Sequence, residues 1–390
     1  MTESRRTRNN TGRRAAFVLA VLFALAIAAA AGTGLEFRGQ LSFWLGGHDR
    51  PAAEGAAGLR YVPSFSLKHD PGSGWSVDAE VSVNAYGSAQ GGSLAGLGTS
   101  GAFKAYRMWA RLATSRFEAR LGLQKINFGS ALLLRPLMWF DRVDPNDPLQ
   151  MTDGVKALLL KYTFADNTNV WLWGLYGNDE TKGWEIAPTR RGAPEFGGRL
   201  QIPFGPGEVA VSYHHRRLDA ERSLVAPPAG EAAAVPEDRL GLDGKWDLGL
   251  GLWFEAVWTR QGWIAASWRD QRAVTAGLDF TFGLGNGLHV LAEHMAADFG
   301  AALGPNARRN LTALAADYPL GVLDRLKAVV YRDWTTNDFY RLLTWQRTYD
   351  KWSFSLIGFW NPDRYQIPGA PRGTNLFAGR GAQIMIIYNH

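Results

Sequence analysis

The chain contains no cysteine, and this single absence excludes several classes of protein. Without a thiol there is no disulfide framework, no thiolate metal site, no cysteine nucleophile and no attachment residue for a lipoprotein anchor. The zinc-protease motif HExxH and the hydrolase motif GxSxG are also missing. The sequence therefore predicts no catalytic residues, no bound metal and no cofactor, and the protein is not expected to be an enzyme.

Long hydrophobic runs are absent beyond the first residues of the chain. The exception is the small and apolar run at positions 15–31, which follows a start rich in arginine. This order is typical of a secretory signal peptide, so residues 1–31 are predicted to be a signal peptide cleaved near Ala30–Thr33. An uncleaved helical anchor is the alternative. After residue 31 no run approaches the 18 apolar residues of a membrane helix, which excludes helical membrane spans.

A dense basic surface is missing as well. The formal net charge is +6, but the first 31 residues hold five arginines against one glutamate. The rest of the chain has 37 basic and 35 acidic residues. Because nucleic-acid binding depends on clustered cations that contact many phosphates, no nucleic-acid partner is predicted.

What the chain has instead is an alternation of apolar and polar side chains with a period of two. In residues 75–83 the apolar side chains fall on the odd positions. Period two places the apolar side chains of a segment on one face of a β-strand. The same pattern occurs in residues 37–45, 59–67, 106–112, 117–123, 158–164, 196–204, 209–213, 240–248, 274–282, 352–360 and 384–390. We count about 18 candidate strands and predict an all-β protein.

The connections between these segments alternate between short and long. Short ones such as Thr114-Ser115 and Gly205-Pro206-Gly207 are followed by long ones such as residues 127–153 and 361–377. Short turns on one rim and long loops on the other are typical of an outer-membrane barrel. A closed sheet also leaves no unpaired edge in the lipid. We predict a single closed antiparallel transmembrane β-barrel of about 16–18 strands over residues 32–390, with short periplasmic turns and long extracellular loops.

Tryptophan is abundant, and several tryptophans fall at or near the ends of the predicted strands. Aromatic residues gather at both membrane–water boundaries of such barrels. We predict this location for Trp75, Trp171, Trp173, Trp246, Trp258, Trp345, Trp352 and Trp360. Ordinary packing is the alternative for any one of them.

The C-terminal segment resembles the closing strand of Gram-negative outer-membrane barrels. Ile384, Ile386 and Tyr388 match its alternating apolar pattern and aromatic end, whereas His390 stands where phenylalanine is usual. By architecture the mature chain resembles the porins. The resemblance implies a bacterial outer-membrane location, contact with outer-membrane lipid and lipopolysaccharide, and recognition of Ile384, Ile386, Tyr388 and His390 by the barrel-assembly machinery. It leaves the oligomeric state open, with a homo-oligomer among the alternatives.

In porin-like proteins the third extracellular loop folds inward and narrows the channel, and residues 127–153 have that position in the chain order. This segment has apolar runs at 132–134 and 137–140, and its charged residues are expected to face the pore. They are Arg135, Asp141, Arg142, Asp144 and Asp147. A surface loop packed over the rim is the alternative.

The polar face of the fourth and fifth strands predicts a charged pore wall. Its inward residues include Arg107, Arg111, Arg116, Glu118 and Arg120. A two-residue turn at Thr114-Ser115 would place Arg111 opposite Glu118, with Arg116 and Arg120 as diagonal neighbours. Arginines that face the acids of the third loop would set up a transverse field and a mild anion preference. Neutralised lumen charges without a role in selectivity are the alternative.

These features predict an outer-membrane porin for the passive diffusion of small hydrophilic solutes and ions. The alternative is a scaffold or sheath barrel around a partner protein, for example an electron-carrying one. An outer-membrane hydrolase is less favoured, although a catalytic triad built from distant residues needs no motif.

Overall fold

The computed structural model describes residues 34–49, 53–92, 96–141, 149, 151–227, 230–300, 307–363 and 377–390. The predicted signal peptide lies outside these residues. In the described part, no helix is long and apolar enough to cross a membrane. The strands are β1 (Gly34–His48), β2 (Glu54–His69), β3 (Trp75–Gly91), β4 (Gly98–Thr114), β5 (Phe117–Gln124), β6 (Val155–Thr163), β7 (Asn169–Leu175), β8 (Glu195–Phe204), β9 (Gly207–Asp219), β10 (Ala234–Asp247), β11 (Gly251–Gln261), β12 (Asp270–Phe282), β13 (Leu288–Asp298), β14 (Arg308–Pro319), β15 (Asp324–Asp333), β16 (Asp338–Thr348), β17 (Trp352–Trp360) and β18 (Arg380–Asn389).

The strands form one closed antiparallel sheet. Each strand pairs with its neighbours in the chain, and the first strand also pairs with the last, from Gln40 opposite Asn389 to His48 opposite Gly381. A closed sheet pairs both edges of every strand, so no row of backbone amides and carbonyls is left open. The predicted all-β fold and closed barrel are confirmed, at the upper end of the predicted strand number.

The two faces of the barrel are inverted relative to a water-soluble protein. In β9 the buried side chains include Ser212, His214 and Arg216, whereas the alternate residues Val211 and Tyr213 are exposed on the outer surface. Large exposed apolar residues recur on the outward positions of the other strands. Exposed apolar surface of this extent marks a contact with something other than water.

The connections differ at the two ends of the barrel. The end that we call the turn rim carries short connections, such as residues 115–116, 205–206 and 349–351. Its two-residue turn at 205–206 uses Gly205 at a φ of 60°, a conformation that costs glycine no steric strain. The opposite end, the loop rim, carries the long connections at 125–154, 176–194, 220–233 and 361–379. Residues 334–337 form a short connection on this rim.

Candidate functional site

The connection between β5 and β6, residues 125–154, is here called the third loop, and two glutamates on the far side of the barrel bind its backbone. Glu293 accepts hydrogen bonds from the amides of Leu132, Leu133 and Leu134 at 2.6, 2.9 and 2.6 Å. Glu255 accepts from the amides of Ala131 and Leu137 at 2.8 and 2.9 Å. Both glutamates are buried inward-facing residues of β11 and β13. The described part of the loop is therefore held against the inner wall.

A glycine makes this close approach possible. Gly129 adopts a φ of 95°, and a side-chain carbon at this position would lie 2.3 Å from Oε1 of Glu255. Any other residue would combine an unfavourable backbone conformation with a clash against the carboxylate. Gly129 therefore fits both the turn of the loop and its contact with β11.

Apolar packing holds the third loop on two sides. On the side of its own strands, Phe128, Trp139 and Phe140 pack with Trp173, and the Phe128 and Trp173 rings stack at 5.5 Å. On the far side, a second cluster contains Leu134, Met295, Ala297, Phe299, Leu311 and Ala313. The loop thus spans from the wall of β6 and β7 to the wall of β13 and β14.

The connection between β7 and β8, residues 176–194, is here called the fourth loop, and buried ion pairs hold it. Nζ of Lys182 lies 2.8 Å from Oε1 of Glu195, and both side chains are almost fully buried. Glu185 lies 3.0 Å from Arg216 and 2.9 Å from Arg239. Glu237 joins the network through the same two arginines, at 2.5 and 2.6 Å. Three cations and three carboxylates therefore neutralise one another between this loop and β8–β10.

The third and fourth loops also contact each other. The amide of Gly183 donates to the carbonyl of Asp141 at 2.8 Å, and Nε1 of Trp184 donates to the carbonyl of Arg135 at 2.9 Å. Gly183 has a φ of 49°, and a side-chain carbon there would lie 1.9 Å from the carbonyl oxygen of Met138. The two loops form one inward-packed layer.

The inward-facing charges of β3–β6 form a surface that we call the charged wall. Its five basic residues are Lys104, Arg107, Arg111, Arg120 and Lys161, and its three acidic residues are Asp78, Glu80 and Glu118. Nε of Arg111 donates to Asp78 at 2.8 Å, and its Nη1 lies 3.3 Å from Glu118. Arg120 lies 3.0 Å from the same Glu118. The side chains of Arg111 and Arg120 remain 29% and 21% exposed, so each faces open space as well as its partner.

The register of this hairpin differs from the sequence prediction. Arg111 lies opposite Arg120, and Glu118 lies opposite Ala113, so that Glu118 reaches Arg111 diagonally. The cause is Thr114, whose hydroxyl oxygen accepts the amides of Arg116 and Phe117 at 3.4 and 3.0 Å. The turn consequently comprises residues 115–116. The prediction that Arg116 lines the pore is wrong, because this residue is exposed in the turn.

Lys104 and Arg107, the two charged-wall residues of β4 nearest the loop rim, contact the last residues of the third loop. A β-bulge at Tyr106 puts Lys104 and Arg107 on the same face although they are three positions apart. Lys104 lies 2.6 Å from Asp153, and Nη2 of Arg107 donates to the carbonyl of Thr152 at 3.1 Å. Arg107 is only 8% exposed. It therefore fixes the end of the loop and does not face open lumen, contrary to the sequence prediction.

Two of the five charged residues predicted for the third loop lie in the described part. Nη1 of Arg135 is 2.9 Å from Oδ2 of Asp141, and Asp141 is buried. Arg135 also donates to Asn127. This pair is therefore largely neutralised within the loop. The other three residues, Arg142, Asp144 and Asp147, lie outside the described residues.

The eight tryptophans divide into two groups. Trp75, Trp246, Trp258, Trp345, Trp352 and Trp360 occupy outward positions near strand ends. Trp171 and Trp173 face the interior, where Lys161 lies 3.8 Å from the Trp171 ring and Trp173 packs on the third loop. The predicted location at the membrane boundary is wrong for these two, because both lie at inward-facing positions of β7. For the other six it stays a prediction.

The C-terminal strand ends in a group of outward aromatic rings. Tyr388 lies 4.6 Å from Trp352, and His390 lies 5.2 Å from Phe37 and 5.9 Å from Tyr61. The backbone of His390 pairs with Gly39 in both directions at 2.9 Å. Ile384 and Ile386 continue the outward phase toward the loop rim. The histidine thus takes an aromatic position against β1, while recognition by assembly machinery stays a prediction.

Sequence reasoning missed the residues that hold the loops: Lys182, Glu185, Glu195, Arg216, Glu237, Arg239, Glu255 and Glu293. For the six that lie on strands, the signal was a charged residue at an inward-facing position of an alternating segment, whereas Lys182 and Glu185 lie in the fourth loop and carried no such signal. That signal is the same for lumen-lining residues, so it does not separate the two roles.

Solved structures of other proteins share the architecture of this chain. No family model matches the chain, and no curated protein matches it. Among solved structures, OmpF of Salmonella typhi in complex with daunomycin is 10% identical with a TM-score of 0.53, covering 92% of this chain and 98% of its own. The trimer form of OmpT, an outer membrane protein of Vibrio cholerae, is 13% identical with a TM-score of 0.52. The match covers 92% of this chain and 100% of the OmpT chain. OccK7 of Pseudomonas aeruginosa is 12% identical with a TM-score of 0.53. The match covers 92% of this chain and 99% of the OccK7 chain.

The chain has the porin fold. At this level of identity the likeness concerns the fold alone, and it extends over nearly the whole length of each of the three chains. In this chain the third and fourth loops pack inside the barrel, and the charged wall is part of the barrel itself.

Proposed function

We propose that this protein is an outer-membrane channel for the passive diffusion of small hydrophilic solutes and ions, and not an enzyme. The apolar outer face matches lipid, and the polar inner face matches an aqueous lumen. The loop rim would face the cell exterior and the turn rim the periplasm. A barrel of this strand number is wide enough for a water-filled passage.

The observation that carries the proposal is the third loop, which is held across the interior by Glu255 and Glu293. In the proposal this loop narrows the passage, and solutes pass between it and the charged wall. Because Arg107 is covered by the end of the loop, the wall presents four basic and three acidic side chains, and this excess supports a mild preference for anions.

Recording in a planar bilayer tests the proposal. The purified protein is expected to give stable ohmic current steps. In a KCl gradient, the reversal potential is expected to have the sign of a channel that conducts chloride better than potassium. Absence of current from correctly folded protein would contradict the channel. If a second protein then co-purified, the sheath alternative would be favoured. Hydrolysis of phospholipid or peptide would favour the hydrolase alternative.

Four further expectations belong to the same proposal. They are a cleaved leader at residues 1–31, assembly through the C-terminal strand, contact with lipopolysaccharide and a homo-oligomeric state. Mass spectrometry of the mature N-terminus tests the first. The change in gel mobility on heating tests whether the barrel closes in variants of Tyr388 and His390.

A further inference from the structure

The inward positions of three adjacent strands, β16–β18, form a surface that we call the neutral strip. Between Tyr340 and Thr348 on β16, and along the whole of β17 and β18, none of the inward positions carries a charged residue. Asp338 lies beyond the strip, at the loop-rim end of β16. The charged wall of β3–β6, in contrast, carries both cations and carboxylates. The inner face of the barrel therefore has a charged part and an uncharged part.

Apolar side chains occupy much of the neutral strip. They are Leu342 of β16, Ile357 of β17, and Met385 and Ile387 of β18. Val329 of β15 lies opposite Leu342 and extends the apolar surface by one strand. Leu342, Met385 and Ile387 are half-buried, and none of them belongs to the described apolar clusters that hold the third and fourth loops. The exposed part of these three side chains therefore faces the lumen.

The neutral strip and the charged wall border the same space inside the barrel. The described part of the third loop packs on β6 and β7 at one end and on β13 and β14 at the other. The strip and the wall both lie in the other half of the barrel, where β1 and β2 separate them. Leu132 of the third loop is 55% exposed and adds a further apolar group inside the barrel. A solute that passes the loop thus meets cations on one side and apolar groups on another.

We propose that the passage favours organic anions with an apolar tail over hydrophilic anions of similar size and equal charge. The anionic group would bind the partly exposed guanidiniums of Arg111 and Arg120. The tail would lie against the neutral strip, where its methylene groups are partly removed from water. A hydrophilic anion would bind the same arginines but gain nothing from the strip. The inference rests on the proposed function, because it names the class of solute that the channel takes.

The test compares hexanesulfonate with gluconate, two monoanions with chains of equal carbon number, in planar-bilayer recordings with chloride on the opposite side. A sulfonate stays ionised, so it does not cross the lipid as a neutral acid, and protein-free bilayers give the background. The reversal potentials give the permeability of each anion relative to chloride. Hexanesulfonate is expected to be at least about threefold more permeable than gluconate, because each methylene group removed from water lowers the free energy.

The double variant Leu342→Gln/Met385→Gln replaces two apolar side chains of the strip with polar ones of similar size. The permeability of hexanesulfonate relative to gluconate is expected to fall, while the preference for chloride over potassium stays unchanged. Gln346→Asn is the matched control, because it keeps an amide at a half-buried inward position of the same strand, and its permeability ratio should not change. Arg111→Gln/Arg120→Gln should lower the permeability of both anions in the same proportion, since each anion carries one charge.

Thr344→Val is a second variant for the case that the double variant does not fold. It keeps the shape of an inward side chain of the strip and replaces a hydroxyl with a methyl group. The ratio of hexanesulfonate to gluconate permeability should rise in this variant. Heat-dependent gel mobility on the same preparations shows which variants contain a closed barrel.

Three outcomes would overturn the inference. They are equal permeability of the two anions in the unmodified protein, an unchanged ratio in folded variants of the strip, and a ratio that falls only in the arginine variant. The last outcome would assign the preference to the charged wall. A channel that conducts chloride without preferring hexanesulfonate refutes this inference alone, whereas unmodified protein that folds and gives no chloride current refutes the proposed function.

Discussion

The charged wall of β3–β6 and the loop-bearing wall of β8–β14 use the same kind of residue for different purposes. On the charged wall, Arg111 and Arg120 share Glu118 and keep part of their surface exposed. On the loop-bearing wall, Glu293 is buried and all its described partners are N–H donors of the third loop and Trp253. An inward charge therefore lines the lumen only where no loop covers it.

The largest effect is expected for Glu293→Ala, which removes the acceptor for three loop amides and the indole of Trp253. Hydrogen bonds to a charged group contribute about 1.5–3 kcal/mol each, and buried donors without a partner are costly. We expect larger and noisier single-channel conductance, because the loop is released from the wall. Glu208→Ala is the control, since Glu208 is an exposed inward acid that bonds only Gln201 among the described residues. Equal conductance of Glu293→Ala and the unmodified protein would show that the loop does not narrow the passage.

The next effect is expected for Lys182→Met in the buried network of the fourth loop. It leaves Glu195 without its closest cation, and an uncompensated buried charge costs about 3–5 kcal/mol. The fourth loop should become sensitive to added protease while the barrel stays closed on gels. Adding Glu195→Gln to this variant should restore part of the resistance. Lys245→Met is the control, because Lys245 is an exposed residue of β10 outside the network. Unchanged resistance of Lys182→Met would contradict the role of the ion pairs.

A smaller effect is expected for Arg111→Gln/Arg120→Gln on the charged wall. Loss of two exposed cations leaves Asp78 and Glu118 in excess, so the reversal potential should shift toward cations by several millivolts. Conductance should change little because no loop contact is removed. Arg116→Gln in the turn is the control. A reversal potential equal to that of the unmodified protein would exclude these arginines from ion selectivity.

The smallest effect concerns Asp179 at the exposed part of the fourth loop, 3.0 Å from Arg191. Partial burial alone would raise the pKa of Asp179. The hydrogen bond and charge of Arg191, together with the charge of Arg222, outweigh this effect, so the pKa lies below its ordinary value. A lowered folded pKa stabilises the loop above the ordinary pKa of the carboxyl, and this contribution is lost as the pH falls through the folded pKa. The loop should therefore lose less than about 1 kcal/mol of stability below about pH 4. This loss is expected as a slightly faster hydrogen exchange of residues 176–194. Asp179→Asn should remove this pH dependence; an identical dependence in the variant would assign it to another group.

Much of the barrel was predictable because lipid and lumen impose a period of two on every strand. Residues 75–83 show that period, and β3 begins at Trp75 as expected. The register of the β4–β5 hairpin was not predictable in the same way. A hydroxyl on Thr114 shifted the turn by one residue, and a one-residue shift in the turn changes which side chains are opposite.

The candidate site was predictable only in part. Arg111, Glu118 and Arg120 were assigned to the inner face from alternation, and they meet there. Arg107 was assigned to the same face, but its burial depends on Thr152 at the end of a loop 45 residues later. Trp173 was assigned to the lipid boundary because its position near a strand end does not reveal which face it occupies.

By itself the sequence determined the barrel, its approximate strand number and the two kinds of rim. These follow from local side-chain alternation and from the lengths between strands, which are properties of neighbouring residues. Only the tertiary structure decided which inward charges are covered, because Glu255 and Glu293 meet the third loop, and Glu195 and Arg216 the fourth, through closure of the sheet. Such contacts join residues more than 100 positions apart in the case of Glu255 and Glu293, and no local pattern specifies them.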